Sequence, residues 1–203
     1  ESEDEFEEGR SASVSMTILI MFETLCESVW AYTVRAKGIA SDAWLPDKLA
    51  QDFATVGVAN TRIVVKTDTE PAIVDLRRAV GASRGGTPTG YDDSRVGDSN
   101  SNGRVERKIR EVKGLVRPLR SDLKAKTGSS VHLDANVVPW LVRHAGYILT
   151  RCQVLPCGRT ALHRIKGQKT HRPLLPFGEA VLSKIPNTRH RVGDFEAVSY
   201  THL

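Results

Sequence analysis

One stretch constrains this chain more than any other. From Val105 the apolar residues Ile109, Val112, Val116, Leu119 and Leu123 follow at steps of 4, 3, 4, 3 and 4. That is the repeat of one buried helix face, so the chain must supply other elements to cover it. Ahead of it lies a polar, glycine-bearing loop, Ser99 to Gly103, where Ser101 or Asn102 offers the short side-chain oxygen of an N-cap. Beside the apolar stripe runs a second one: Glu106, Arg110, Lys113, Arg117 and Arg120. A carboxylate in the first turn suits the positive end of the helix dipole. A solvated face usually mixes signs. Here one acid is followed by four cations, which points to an acid with a task ahead of a track for phosphates. The bland alternative is a surface helix with one Glu and many cations.

The charge of the whole chain agrees with that track. The net charge is +5, but residues 1–10 hold six acids and one base, leaving 28 of the 29 bases and 18 of the 24 acids to the rest. A basic body favours an acidic partner, nucleic acid first. The three cysteines, Cys26, Cys152 and Cys157, are odd in number and lack a C-x-x-C pair, so a disulfide framework is not expected and a reducing intracellular setting is. Cys152, Cys157, His144 and His163 match no usual zinc spacing; they read as buried thiols and surface histidines. No run approaches the roughly 20 apolar residues of a membrane span.

In chain order, residues 1–13 read as an acidic disordered linker. Val14–Phe22 and Ser28–Val34 read as strands of a hairpin. Ser41 or Asp42 is expected to cap a helix to about Thr55, with Trp44, Leu45, Leu49 and Phe53 inward. Arg62–Lys66 is a β-branched strand, apolar on both faces as in the middle of a covered sheet. A helix is expected from Pro71 to Val80, closed by Gly81, with Thr67 or Asp68 as its cap. Residues 81–102 read as one long loop, functional or disordered. After the long helix, Asp134 or Asn136 should cap a helix to about Cys152, with Val137, Leu141, Ala145, Ile148 and Cys152 on one face. A short helix spans Thr160–Ile165, Pro173–Pro176 is extended, and Phe177–Leu182 is a strand. The order is that of an α/β layered fold. The domain reading is residues 14–170 as the body and 171–197 as the start of a small extension. Residues 198–203, VSYTHL, look like the translation of a sequencing-adapter end and the chain starts at Glu1, so both termini are expected to be artificial.

Asp68 ends the apolar strand, where ligands gather in open α/β sheets. Glu106 opens the long helix, with 37 residues between the two acids. Two carboxylates so placed can share hard divalent cations, since Mg²⁺ takes one or two carboxylates plus substrate phosphates. T-D-x-E-P-A after a core strand, then S-N-G-x-V-E opening a helix, resembles the catalytic core of retrotransposon and retroviral integrases, most closely the copia-like polyproteins. Trp30, Lys37-Gly38, Pro139-Trp140 and Phe177-Gly178 fit the same pattern loosely, and the likeness runs from about Val14 to Leu182.

That resemblance implies a ribonuclease-H-like three-layer fold with a mixed central sheet. It implies an Asp, Asp, Glu triad with two Mg²⁺ or Mn²⁺ ions, acting in DNA 3′-end processing and strand transfer. Asp68 would be the second acid and Glu106 the third, both metal ligands. Arg104, Arg107, Arg110, Lys113 and Arg117 are the expected DNA-binding set, and Asn100, Asn102 and Gly103 belong to the expected active-site loop. The implied partners are element-end and target DNA and further copies of the chain, without a membrane; the implied location is the nucleus, with a cytoplasmic particle stage. The family's first Asp lies on a strand preceding the hairpin, and no such strand stands before Val14. Residues 1–203 are therefore expected to lack the first strand, to bind metal weakly and to be inactive alone. The competing reading is a catalytically dead module, derived from an integrase, that only binds nucleic acid.

Overall fold

The computed structural model describes residues 16–39, 42–93, 103–169 and 174–181. The expected caps Ser41, Ser101 and Asn102, the loop residues Asn100 and Asn102, the acidic linker and residues 182–203 lie outside the described residues.

Strands β1 (Thr17–Phe22) and β2 (Val29–Val34) form an antiparallel hairpin in which Thr17 faces Val34 and Phe22 faces Val29. Alternation then decides what each residue meets. Val29 and Ala31 join the core built with Val112 of α3 (Gly103–Thr127) and Leu141, Val142 and Ala145 of α4 (Val138–Cys152). Tyr32 and Val34 join a second core with Leu45, Leu49 and Phe53 of α1 (Leu45–Thr55) and Leu76 and Val80 of α2 (Pro71–Ser83). The hairpin thus lies between two pairs of helices, in three layers.

Strand β3 (Ile63–Thr67) pairs in parallel with β4 (Thr89–Asp93), and α2 makes the crossover that parallel strands require. The expected single mixed sheet is not what forms. Among the described residues there are two two-stranded sheets, one antiparallel and one parallel, with no ladder between them. β3 is accordingly not covered on both faces: Val64 is 64% exposed. β1, apolar from Ile18 to Phe22, is only half-buried along its length.

Other elements correct the sequence reading. Residues 81–102 are not one loop, because α2 continues to Ser83 and β4 follows. Gly81 does not end α2. It lets the helix approach β4, since a Cβ there would collide with the Tyr91 hydroxyl. The N-cap of α2 is Glu70, so neither Thr67 nor Asp68 has that role. Trp44 is the N-cap of α1 and 49% exposed rather than inward; Asp42 instead orders the approach to the helix, accepting from the Arg35 amide at 2.9 Å and the Trp44 indole at 3.3 Å. Val137, not Asp134 or Asn136, is the N-cap of α4, with no side-chain bond, and Cys152 is exposed. Cys157 is exposed as well, so neither is the buried thiol expected. The short helix expected from Thr160 forms as α5 (Ala161–Lys166), with Thr160 as its N-cap, whose hydroxyl accepts from the His163 amide at 3.1 Å. No strand forms over residues 177–181. Phe177 is a plug instead, 4% exposed, with its ring centroid 5.1 Å from that of His144.

Candidate nucleic-acid-processing site

Asp68 follows directly on β3, at the C-terminal end of the parallel pair. Its neighbours there come from the ladder register: Thr67 lies across from Asp93, and Lys66 across from Asp92. Arg77, buried on α2, clamps these ends. Its guanidinium donates to the Thr67 hydroxyl at 3.1 Å, to the Asp92 carbonyl at 3.4 Å and to the Asp93 carboxylate, and stands 5.3 Å from the Tyr91 ring centroid. Three carboxylates, Asp68, Asp92 and Asp93, therefore share one end of one small sheet, with Asp93 held by a buried cation. Sequence reading missed Arg77 and β4; TGYDD has too few β-branched residues to register as a strand.

Glu106 stands exposed in the first turn of α3, on the helix that packs against the other sheet. Gly103, assigned to the loop, is the first residue of that helix. The N-terminal half of α3 is fixed to β1 and α4. The Arg104 and Lys108 cations lie 5.1 and 5.7 Å from the Phe22 ring centroid. Lys108, 5% exposed, donates to Glu111 at 2.8 Å and to Gln153, just past α4, at 2.9 Å. Burial pushes the Glu111 carboxyl up. The bonds from Lys108 and Gln153, the Lys108 charge and the Arg107 bond outweigh that and hold it below the usual carboxylate range. Lys108 was not singled out from sequence, although its i,i+3 spacing to Glu111 was there to be read.

The five cations expected to meet DNA are not equivalent. Arg110, Lys113 and Arg117 are exposed along α3, on the stripe that begins with Glu106. Arg107 is also exposed but pairs with Glu111 at 3.0 Å. Arg104 reaches back to the Thr24 carbonyl at 3.4 Å and the Phe22 ring. Arg120, last on the stripe, is spent on the Val131 carbonyl at 2.6 Å. The structure thus gathers Arg110, Lys113 and Arg117 on one exposed helix face, and it places Asp68 just after β3 and Glu106 on α3, the helix that packs against the other sheet. Among the described residues no group of three or more His, Cys, Asp or Glu side chains is arranged to hold a metal. No helix among them is long and apolar enough to cross a membrane.

No protein-family model matches the chain, and no curated protein matches it. Among solved structures the fold is similar to that of a chain in the simian T-cell lymphotropic virus intasome, determined by cryo-EM in complex with PP2A regulatory subunit B56 gamma. The TM-score is 0.54 at 16% identity, over 84% of this chain and 54% of that one. This chain therefore spans about half the length of that neighbour. Two helix pairs around a hairpin, with a parallel pair beside it, amount to a mixed α/β fold similar to that of the intasome chain.

Proposed function

We propose that the chain is part of the catalytic core of a retroelement integrase, with a ribonuclease-H-like fold, acting on DNA ends by metal-dependent phosphoryl transfer. Three observations support this reading: an acid directly after a strand of a parallel pair, an exposed acid in the first turn of a helix, and the exposed cationic stripe that the second acid heads. Asp68 and Glu106 are the catalytic carboxylates of the proposal. Arg110, Lys113 and Arg117 follow the DNA backbone, and counterion release at such contacts makes affinity salt-sensitive. Arg104 and Arg107 contribute less, being engaged within the fold.

The donor chemistry suits Mg²⁺ or Mn²⁺. Asp68 and Glu106 offer hard carboxylate oxygens only, and two carboxylates with phosphate oxygens and water meet the octahedral habit of Mg²⁺. Bound there, the ions would activate the attacking oxygen and stabilise the leaving one. Within the chain, Arg77 fixes the strand ends beside Asp68, and Lys108 fixes the helix that carries Glu106. The half-buried apolar strand β1 and the exposed Val64 of β3 support a further strand lying between the two sheets, which is where the family's first Asp would be carried. In the whole protein, element-end DNA, target DNA and further copies of the chain are the partners, and work on chromosomal DNA places it in the nucleus.

The experiment is a strand-transfer assay with Mg²⁺ on the protein extended at its N-terminus, comparing wild type with Asp68→Asn and Glu106→Gln. Activity lost in both variants with DNA binding kept supports the reading. Activity unchanged in either refutes the assignment of that acid. Salt-sensitive DNA binding with no activity in any form selects the binding module instead.

A further inference from the structure

A cavity of about 350 Å³ opens on the far side of β2, between α1, α4 and α5. None of the acids or cations discussed above for catalysis or DNA contact lines it. Its walls are largely aromatic and aliphatic, with Trp30, Trp140, Tyr147 and Leu162 among them. Trp140 is 48% exposed and so accessible to a ligand entering the cavity.

The polar groups of the cavity set its charge. Among the described residues Asp52 is the one carboxylate lining it, and it is 3% exposed. Both its oxygens are already used: Lys48 donates to one at 2.6 Å, and the Tyr32 hydroxyl to the other. Burial raises the Tyr32 phenol, and the bond to Asp52 and its charge raise it further, so the phenol keeps its proton and remains the donor. Asp52 and Lys48 cancel. That leaves Arg143, whose guanidinium lies 5.6 Å from the Tyr32 ring centroid, and the exposed Lys166. Among the described residues no carboxylate lining the cavity answers either of them. An aromatic slot carrying these two cations favours an anionic guest and disfavours a cationic one.

We propose that this cavity binds a planar aromatic anion, one or two fused rings bearing a carboxylate or phosphate. The rings lie among Trp30, Trp140 and Tyr147, and the anionic group meets Arg143 and Lys166. The volume is at the small end for ligand pockets, about 300–1,000 Å³, which fits a guest of that size. Arginine beside an aromatic face suits both parts of such a guest, since its planar fork pairs with carboxylate or phosphate. The proposal stands apart from the integrase reading.

Calorimetric titration with 2-naphthoate, AMP and the neutral 2-naphthylmethanol tests it. Saturable binding of 2-naphthoate or AMP is expected, weakened about tenfold in Lys166→Ala and in Arg143→Gln, with 2-naphthylmethanol binding at least tenfold more weakly. AMP binding identifies a nucleotide as the source of the anion; 2-naphthoate alone identifies an aromatic acid. Lys166 and Trp140 are exposed, so Lys166→Ala and Trp140→Ala test the site without removing core packing, and Trp140→Ala should also weaken binding. Binding of neither anion, equal binding of 2-naphthylmethanol, or anion affinity unchanged in both Lys166→Ala and Trp140→Ala overturns the proposal.

Discussion

Lys108→Met is the most searching perturbation of the helix that carries Glu106. The Lys108 side chain is 7% exposed and that of Glu111 20%, and their 2.8 Å pair is joined by Gln153 from beyond α4. Removing one partner of a buried ion pair costs about 3–5 kcal/mol, because the other charge is left without compensation. Glu111 keeps some solvent, the Arg107 bond and a 3.2 Å bond from the Gln153 amide. The expected loss is therefore smaller, about 2–3 kcal/mol, in the range of a charged hydrogen bond removed with its partner stranded. Urea denaturation measures it, and NMR titration of Glu111 should show its carboxyl rising toward the ordinary range. The double variant Lys108→Met/Glu111→Leu should recover most of the loss, because both buried charges then go together. A single-variant loss under about 0.5 kcal/mol, or a double variant no better than the single, would refute the claim that this pair anchors the helix.

Three further outcomes are expected. Arg110→Glu with Lys113→Glu should weaken duplex binding and lower the slope of log affinity against log salt by about 2, one unit for each phosphate no longer neutralised; an unaltered slope would make the stripe a solvated face. Phe177→Ala should cost about 3–5 kcal/mol, since Phe177 is 4% exposed and packs on His144; a loss below about 1 kcal/mol would show that residues 174–181 are not docked. Stability should fall with acid in two steps. Burial lowers His144 from its ordinary 6.5, so the folded state binds its proton less well than the unfolded chain, and that stability is whole above 6.5 and lost as pH falls toward the lowered native value. Glu111, held below its ordinary 4.5, gives stability that is whole above 4.5 and lost as pH falls through its lowered value. Melting temperature against pH checks both; an upper step that persists in His144→Gln would contradict the assignment.

The elements legible in the sequence were those whose apolar periodicity is strong and local. TILIMF against VWAYTV gave the hairpin, and the stripe from Val105 to Leu123 gave α3. What stayed hidden depends on the packing of residues far apart in the chain. Gly81 looked like a helix stop because its reason for being glycine, the Tyr91 ring, is ten positions away on another element. TGYDD looked like loop because a short strand at the side of a two-stranded sheet needs little apolar content. Phe177 looked like the start of a strand and is a plug, its place set by Leu123 and His144. In the candidate site the exposed stripe Arg110, Lys113, Arg117 was legible from helical spacing, whereas the roles proposed for Asp68 and Glu106 came from the family resemblance. Arg77 and Lys108, which hold the elements in place, could not, since buried cations are recognised by partners and not by sequence pattern.

The central claim is that Asp68 and Glu106 serve one divalent-metal site. Anomalous scattering from Mn²⁺-soaked crystals of the protein extended at its N-terminus addresses it directly. The account predicts a peak bonded to both carboxylates, at about 2.0–2.3 Å as for hard cations with oxygen ligands. Mn²⁺ on one carboxylate alone, with the other turned to solvent too far away to share it, would contradict the account.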